Sequence, residues 1–90
     1  MTSELAETRE FRGISKRLAA QYLETLGGER VDEAGDRIDG DGWSAELSEQ
    51  TVNPVGSITL NEVRIHFEGE SSTLRPLIDA FAQKAMRAGG

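Results

Sequence analysis

Few residues in this sequence are able to do chemistry, and their spacing decides what that chemistry would be. Asp32, Glu33, Asp36, Asp39 and Asp41 form a dense acidic stretch, and hard cations bind through clustered carboxylate oxygens. An EF-hand loop with its glycine at Gly42 needs an acid where Arg37 stands and a glutamate where Ser48 stands, so the calcium motif fails. The stretch reads as a solvated acidic loop, and no metal site is expected. Gly40-Asp41-Gly42-Trp43-Ser44-Ala45 fits a dinucleotide-binding spacing on paper. Its glycines lead into an alternating, strand-like run rather than a helix, and the neighbouring carboxylates repel a pyrophosphate. No cofactor is expected.

His66 is the single histidine, on a strand whose inward residues are Ile65 and Phe67, so it points outward between Arg64 and Glu68. With no second imidazole and no G-x-S-x-G serine, a catalytic triad is excluded and no catalytic residue is assigned. The chain is expected not to be an enzyme. Trp43 follows Gly42 and has two readings, a contact residue at an interface or the largest core residue packed under a helix. Trp43, Arg64 and His66 are the candidate interaction surface. Gly89-Gly90 also has two readings. An uncluttered di-glycine tail suits adenylation of a terminal carboxylate, as in ubiquitin-like modifiers and sulfur carriers, whereas Gly89 after Ala88 equally suits a helix stop.

The composition bounds what these residues can belong to. Ninety residues make one small domain over 1–90, with Met1 to Glu7 lacking any sustained pattern and expected to be frayed. The absence of cysteine removes disulfides, thiol nucleophiles and thiolate zinc sites, and fits a reducing cytoplasm. No apolar run is long enough for a membrane span, and a net charge of -6 disfavours nucleic acid. That charge is uneven. Residues 1 to 28 hold four acids and four bases, residues 51 to 90 hold four and four, and residues 29 to 50 hold eight and two. Eight of the ten bases are Arg, which with the acid excess points to adaptation to high salt.

The elements that must position these residues follow from periodicity. Arg9 to Gly13 reads as a first strand. Leu18, Ala19, Tyr22, Leu23 and Leu26 recur at helical spacing, predicting a helix over Ser15 to Leu26 with Ser15 as N-cap, Ile14 and Ala19 as a staple and Gly27-Gly28 as the stop. Glu29 to Val31 is a short strand, and the polar stretch to Gly42 turns at Asp39-Gly40 or Asp41-Gly42. Trp43, Ala45 and Leu47 alternate as a half-buried strand, and Asn53 to Gly56 reads as a turn or loop. Ile58 and Leu60 share one parity while Val63, Ile65 and Phe67 share the other, so a strand from Ser57 to Glu68 predicts a bulge near Asn61-Glu62. Leu74, Leu77, Ile78, Phe81, Ala82 and Ala85 form the apolar stripe of a last helix, capped by Ser71 or Ser72 with Pro76 in its first turn. The expected fold is α+β: a four-stranded, mostly antiparallel sheet with two helices on one face, in the order β-α-β-β-β-α.

Phe11-Arg12-Gly13-Ile14-Ser15, Tyr22-Leu23-Glu24 with Leu26-Gly27-Gly28, Gly40-Asp41-Gly42-Trp43, Phe67-Glu68-Gly69 and Ala85 to Gly90 together resemble a small domain found in archaea, and in Thermus, at the C-terminus of MoaD-like proteins. MoaD is the small, sulfur-carrying subunit of molybdopterin synthase. The resemblance implies an α+β domain near molybdopterin biosynthesis or sulfur transfer, with a protein partner from that machinery and no assigned catalytic residue. A departure accompanies it. The carrier's own β-grasp fold runs strand, strand, helix and ends in a strand, whereas this chain starts strand-helix and ends in a helix. Two functions follow as expectations, a non-catalytic interaction domain, or a carrier activated at the Gly90 carboxylate. A homodimer or small-molecule binder using the sheet face near Trp43 and His66 is a third.

If the acids of residues 29 to 50 reflect salt adaptation, screening their repulsion stabilises the fold. The melting temperature is expected to rise between low salt and molar KCl; a flat profile contradicts this.

Overall fold

Ser15 starts the first helix as its residue type requires, its Oγ accepting a hydrogen bond from the Leu18 N–H at 3.1 Å. The same helix stops in a Schellman arrangement: the Gly28 N–H donates to the Leu23 carbonyl at 2.9 Å and the Gly27 N–H to that of Glu24 at 3.1 Å, with Gly27 at φ 107°. These ends bound α1 (Lys16–Thr25). The computed structural model describes residues 4–33 and 35–89. It adds β1 (Glu4–Arg12), β2 (Glu29–Arg30), β3 (Arg37–Gly40), β4 (Trp43–Val55), β5 (Ile58–Glu70) and α2 (Ser71–Gly89).

The sheet has the order β1-β5-β4-β3-β2, and every neighbouring pair is antiparallel. Both helices cover one face. Register places Phe11, Val63, Ile65, Phe67, Ala45, Leu47, Ile38 and Trp43 on that face, where they meet Ala19, Ala20 and Leu23 of α1 and Leu74, Ile78 and Phe81 of α2. Phe81 joins the layers: its ring packs edge-on against Phe11 at 4.8 Å, Tyr22 at 6.0 Å and Phe67 at 6.1 Å.

The α+β class, the two helices and the antiparallel sheet agree with the sequence reading, but the strands number five rather than four and the order is β-α-β-β-β-β-α. The additional strand is β3. It carries a single inward apolar residue, the fully buried Ile38, between exposed Arg37 and Asp39, so the acidic composition around it conceals a four-residue alternation. The chain start is also different. Glu4 to Glu7, expected to fray, pair with β5 from Glu70 to Phe67, since alternation there needs only Leu5 to pack.

No bulge falls at Asn61-Glu62, where β4 and β5 pair continuously. The irregularity lies on β4 between Val52 and Val55, and the expected loop at Asn53 to Gly56 is mostly strand, with the turn at Gly56-Ser57. Ile58 and Leu60 do not need an inward parity, because the helices do not reach them; both stay exposed. Pro76 falls in the second turn of α2 rather than the first. It leaves the Ser72 carbonyl without its intrahelical donor, on the exposed side of the helix.

Trp43 sits where three glycines converge. A Cβ on Gly40 would overlap its indole ring, one on Gly28 would overlap Ile38 and lie 2.8 Å from Trp43 Cη2, and one on Gly69 would lie 3.0 Å from Trp43 Cβ. Gly28→Ala and Gly40→Ala are each expected to destabilise the fold by about 1–3 kcal/mol through overpacking. Urea denaturation followed by Trp43 fluorescence checks this, with Gly56→Ala, at a site open on all sides, as the comparison for backbone strain alone.

Candidate functional site

The open face of the sheet, opposite the helices, carries the exposed polar groups. Cross-strand register brings Thr8 beside His66 and Glu10 beside Arg64. The Thr8 hydroxyl lies 2.9 Å from His66 Nδ1, and His66 Nε2 lies 2.8 Å from Glu68 Oε1. With the proton on Nε2, Thr8 donates to the ring and the ring donates to the carboxylate. This is a hydroxyl, an imidazole and a carboxylate in hydrogen-bonded series, the sequence of groups used in nucleophilic catalysis. Their setting removes the force of the likeness. The His66 and Glu68 side chains are 41% and 60% exposed on a strand surface, so water competes for each proton and no low-dielectric site favours an alkoxide. The series orients His66 on the surface.

Next along the same face, Arg64 donates to Glu10 at 3.0 Å, and Arg12 lies 3.5 Å from Glu62. Glu62 is only 5% exposed although no helix covers this face. The Arg64 hydrogen bond, helped by a hydrogen bond to Glu62, holds the Glu10 carboxyl below its ordinary value of 4.5.

The three residues of the expected interaction surface do not share one. Arg64 and His66 are on the open face, while Trp43 is 7% exposed on the helix face, the core position of its two readings. The acidic stretch is partly neutralised: Asp36 pairs with Lys16, and Asp39 with Arg37 at 3.0 Å. Among the described residues no group of three His, Asp or Glu side chains is placed to hold a metal ion. Gly42, at φ 84°, turns the chain into β4 and not into a helix, so the dinucleotide spacing has no phosphate-binding context. Gly89 is the last residue of α2, and Gly90 lies outside the described residues. Among the described residues no helix is long and apolar enough to cross a membrane.

What the sequence reading missed is an arm. From Ser48 to Asn61, no side chain described is buried, and the two strands continue past the helix layer as a ribbon. On its open face Val52 pairs with Leu60 and Val55 with Ile58, and Val55, Ile58 and Leu60 are 65%, 51% and 37% exposed. The signal was the parity change between Ile58-Leu60 and Val63-Ile65-Phe67, which marks where the apolar face switches sides.

A family model described as archaeal MoaD-like protein matches residues 7–90. The chain belongs to the archaeal MoaD-like family. No curated protein matches it. Three of the motifs that carried the resemblance, those ending in Gly28, Trp43 and Gly69, meet at one residue of this MoaD-like chain: Gly28 lies against the Trp43 ring and Gly69 against the Trp43 Cα and Cβ. They are packing motifs. An apolar cleft of about 370 Å³ beside that indole, lined by Leu26, Thr73, Pro76 and Leu77, lies between the end of α1 and the start of α2.

Because the Glu10 carboxylate is favoured in the folded state, its pairing with Arg64 contributes stability above pH 4.5 that is lost as pH falls through the lowered folded value. Carboxyl NMR titration is expected to place the Glu10 midpoint below 4.5, and Arg64→Ala to raise it; a midpoint unmoved by Arg64→Ala contradicts the assignment.

Proposed function

We propose that this MoaD-like domain is a non-catalytic interaction module of the molybdopterin or sulfur-transfer machinery, acting in the cytoplasm and docking a protein partner through the β4–β5 arm. The arm carries this reading. Monomeric surfaces seldom gather aliphatic side chains at the end of a ribbon that no core supports, and a two-stranded ribbon alone is marginal in water. A partner covering Val52, Val55, Ile58 and Leu60 removes apolar surface and supplies the missing support. The family supports the biochemical setting, since the MoaD-like name belongs to sulfur-carrying chemistry.

The carrier reading receives less support. The β-grasp carrier delivers its glycines from a strand, whereas here α2 runs through Gly89 and, among the described residues, every strand pair is antiparallel. The domain's position beside a carrier domain, as in the resembling proteins, belongs to this proposal.

The arm's side chains lie outside the core, so Val55→Asp and Ile58→Asp are expected to change stability by no more than about 0.5 kcal/mol. Both are expected to abolish binding, measured by titration calorimetry, to the molybdopterin-synthase and adenylating proteins of the same organism. Wild-type binding by the variants, or no binding by the wild type, contradicts the proposal.

A further inference from the structure

The outer edge of β1 has no strand beside it among the described residues. Its hydrogen-bonding phase is set by the Gly13 N–H, which donates to the Asn61 carbonyl at 3.0 Å. Odd-numbered residues of β1 therefore bond to β5, and the N–H and C=O groups of Glu4, Ala6, Thr8, Glu10 and Arg12 point outward to the edge. Nine residues run there without proline, lysine or bulge, and the charges that would otherwise blunt the edge, Glu4, Glu7, Arg9, Glu10 and Arg12, are of both signs, so a partner of the right register can pair them. The other exposed edges are blunted or short. β2 has two residues, and the free part of β4 ends in its irregularity and Pro54.

We infer that β1 pairs antiparallel with β1 of a second copy across a two-fold axis at Thr8, joining the two sheets into one. The sequence of the strand, Glu4-Leu5-Ala6-Glu7-Thr8-Arg9-Glu10-Phe11-Arg12, is self-complementary about that residue. Antiparallel pairing there sets Glu7 opposite Arg9, Glu4 opposite Arg12 and Leu5 opposite Phe11, each twice by symmetry. The phase agrees: the outward-pointing residues Thr8 with Thr8, Ala6 with Glu10 and Glu4 with Arg12 become the hydrogen-bonded pairs. Neighbouring registers lose the match. An axis at Glu10 sets two carboxylates face to face and Arg9 against Phe11, and an axis at Ala6 sets Leu5 against Glu7.

The layer above the strand leaves room for the partner. Leu5 and Phe11 are only partly buried, and a cleft of about 300 Å³ lined by Leu5, Glu7, Arg9, Arg75, Ile78 and Asp79 opens between β1 and α2 at this edge. Arg9 of the second copy faces that cleft, where Glu7 and Asp79 provide acceptors, while Phe11 of the second copy stays on its own Phe81 and meets Leu5 at the rim. This surface is separate from the arm, so a dimer and an arm-bound partner can coexist.

The chain has no cysteine, which allows a direct test. Thr8→Cys places one thiol on the axis, and a hydrogen-bonded antiparallel pair has Cα atoms about 5.5 Å apart, within the disulfide range of about 4.4–6.8 Å. Mild oxidation is expected to link Thr8→Cys into a covalent dimer and to leave Ser48→Cys unlinked. In sedimentation equilibrium the wild type is expected to dimerise, Arg9→Glu to weaken the dimer by roughly tenfold or more, and Glu7→Arg with Arg9→Glu to restore it within about threefold. The restored double variant separates lost pairing from lost folding. A monomer at concentrations up to roughly 1 mM, or a dimer indifferent to Arg9→Glu with Thr8→Cys unlinked, overturns the inference. Failure of arm variants to affect a MoaD-machinery partner leaves this result untouched, and the converse holds.

Discussion

The fit of one tryptophan, ring and backbone, against three glycines is the constraint on which the rest of the structure depends. Trp43 opens β4; its ring lies against Gly28, just after α1, and Gly40, at the end of β3, while its Cα and Cβ lie against Gly69 near the end of β5. A side chain at Gly28 or Gly40 would occupy the space of the ring or of Ile38 beside it. The Schellman stop therefore does two things, closing the helix and delivering a residue without a Cβ to the place where the first helix meets the sheet. From there Ile38, Ala45 and Leu23 continue the core toward Phe67 and the Phe81 cluster.

Because the core is anchored at that end, the other end of the sheet is free of it. β4 and β5 each run 13 residues, but buried side chains stop at Leu47 on one and begin at Glu62 on the other. The molecule is accordingly elongated, 49 Å by 26 Å by 20 Å. Such length has no use in stabilising a small domain, whose stability grows with buried area. It presents backbone edges and aliphatic side chains at a distance from the helices, and on these the proposed docking role rests. The groups with reactive chemistry are distributed otherwise, paired with one another on the open face where water reaches them.

Much of this fold was legible in the sequence because burial and period coincide. The stripe Leu74 to Ala85, the cap at Ser15 and the alternation Trp43-Ala45-Leu47 each read correctly, since each has several apolar residues at one spacing. β3 was not legible, because a strand with one inward residue, Ile38, gives no period to count. The arm was misread for a physical reason as well. The parity of Ile58 and Leu60 predicts a bulge only if both turn toward the core; on a ribbon that runs beyond the helix layer both stay exposed and no bulge is needed between them and Val63. Of the candidate site, the outward position of His66 was readable from its neighbours. The separation of Trp43 from Arg64 and His66 was not, because it depends on which face the helices cover.

The central claim is that this MoaD-like domain acts by association and not by carrying an activated group. A native mass spectrum of the protein isolated from its own cells tests it most directly. The account predicts an unmodified polypeptide within a noncovalent assembly. A sulfur-for-oxygen exchange at the Gly90 carboxylate, or an isopeptide-linked partner, would contradict it.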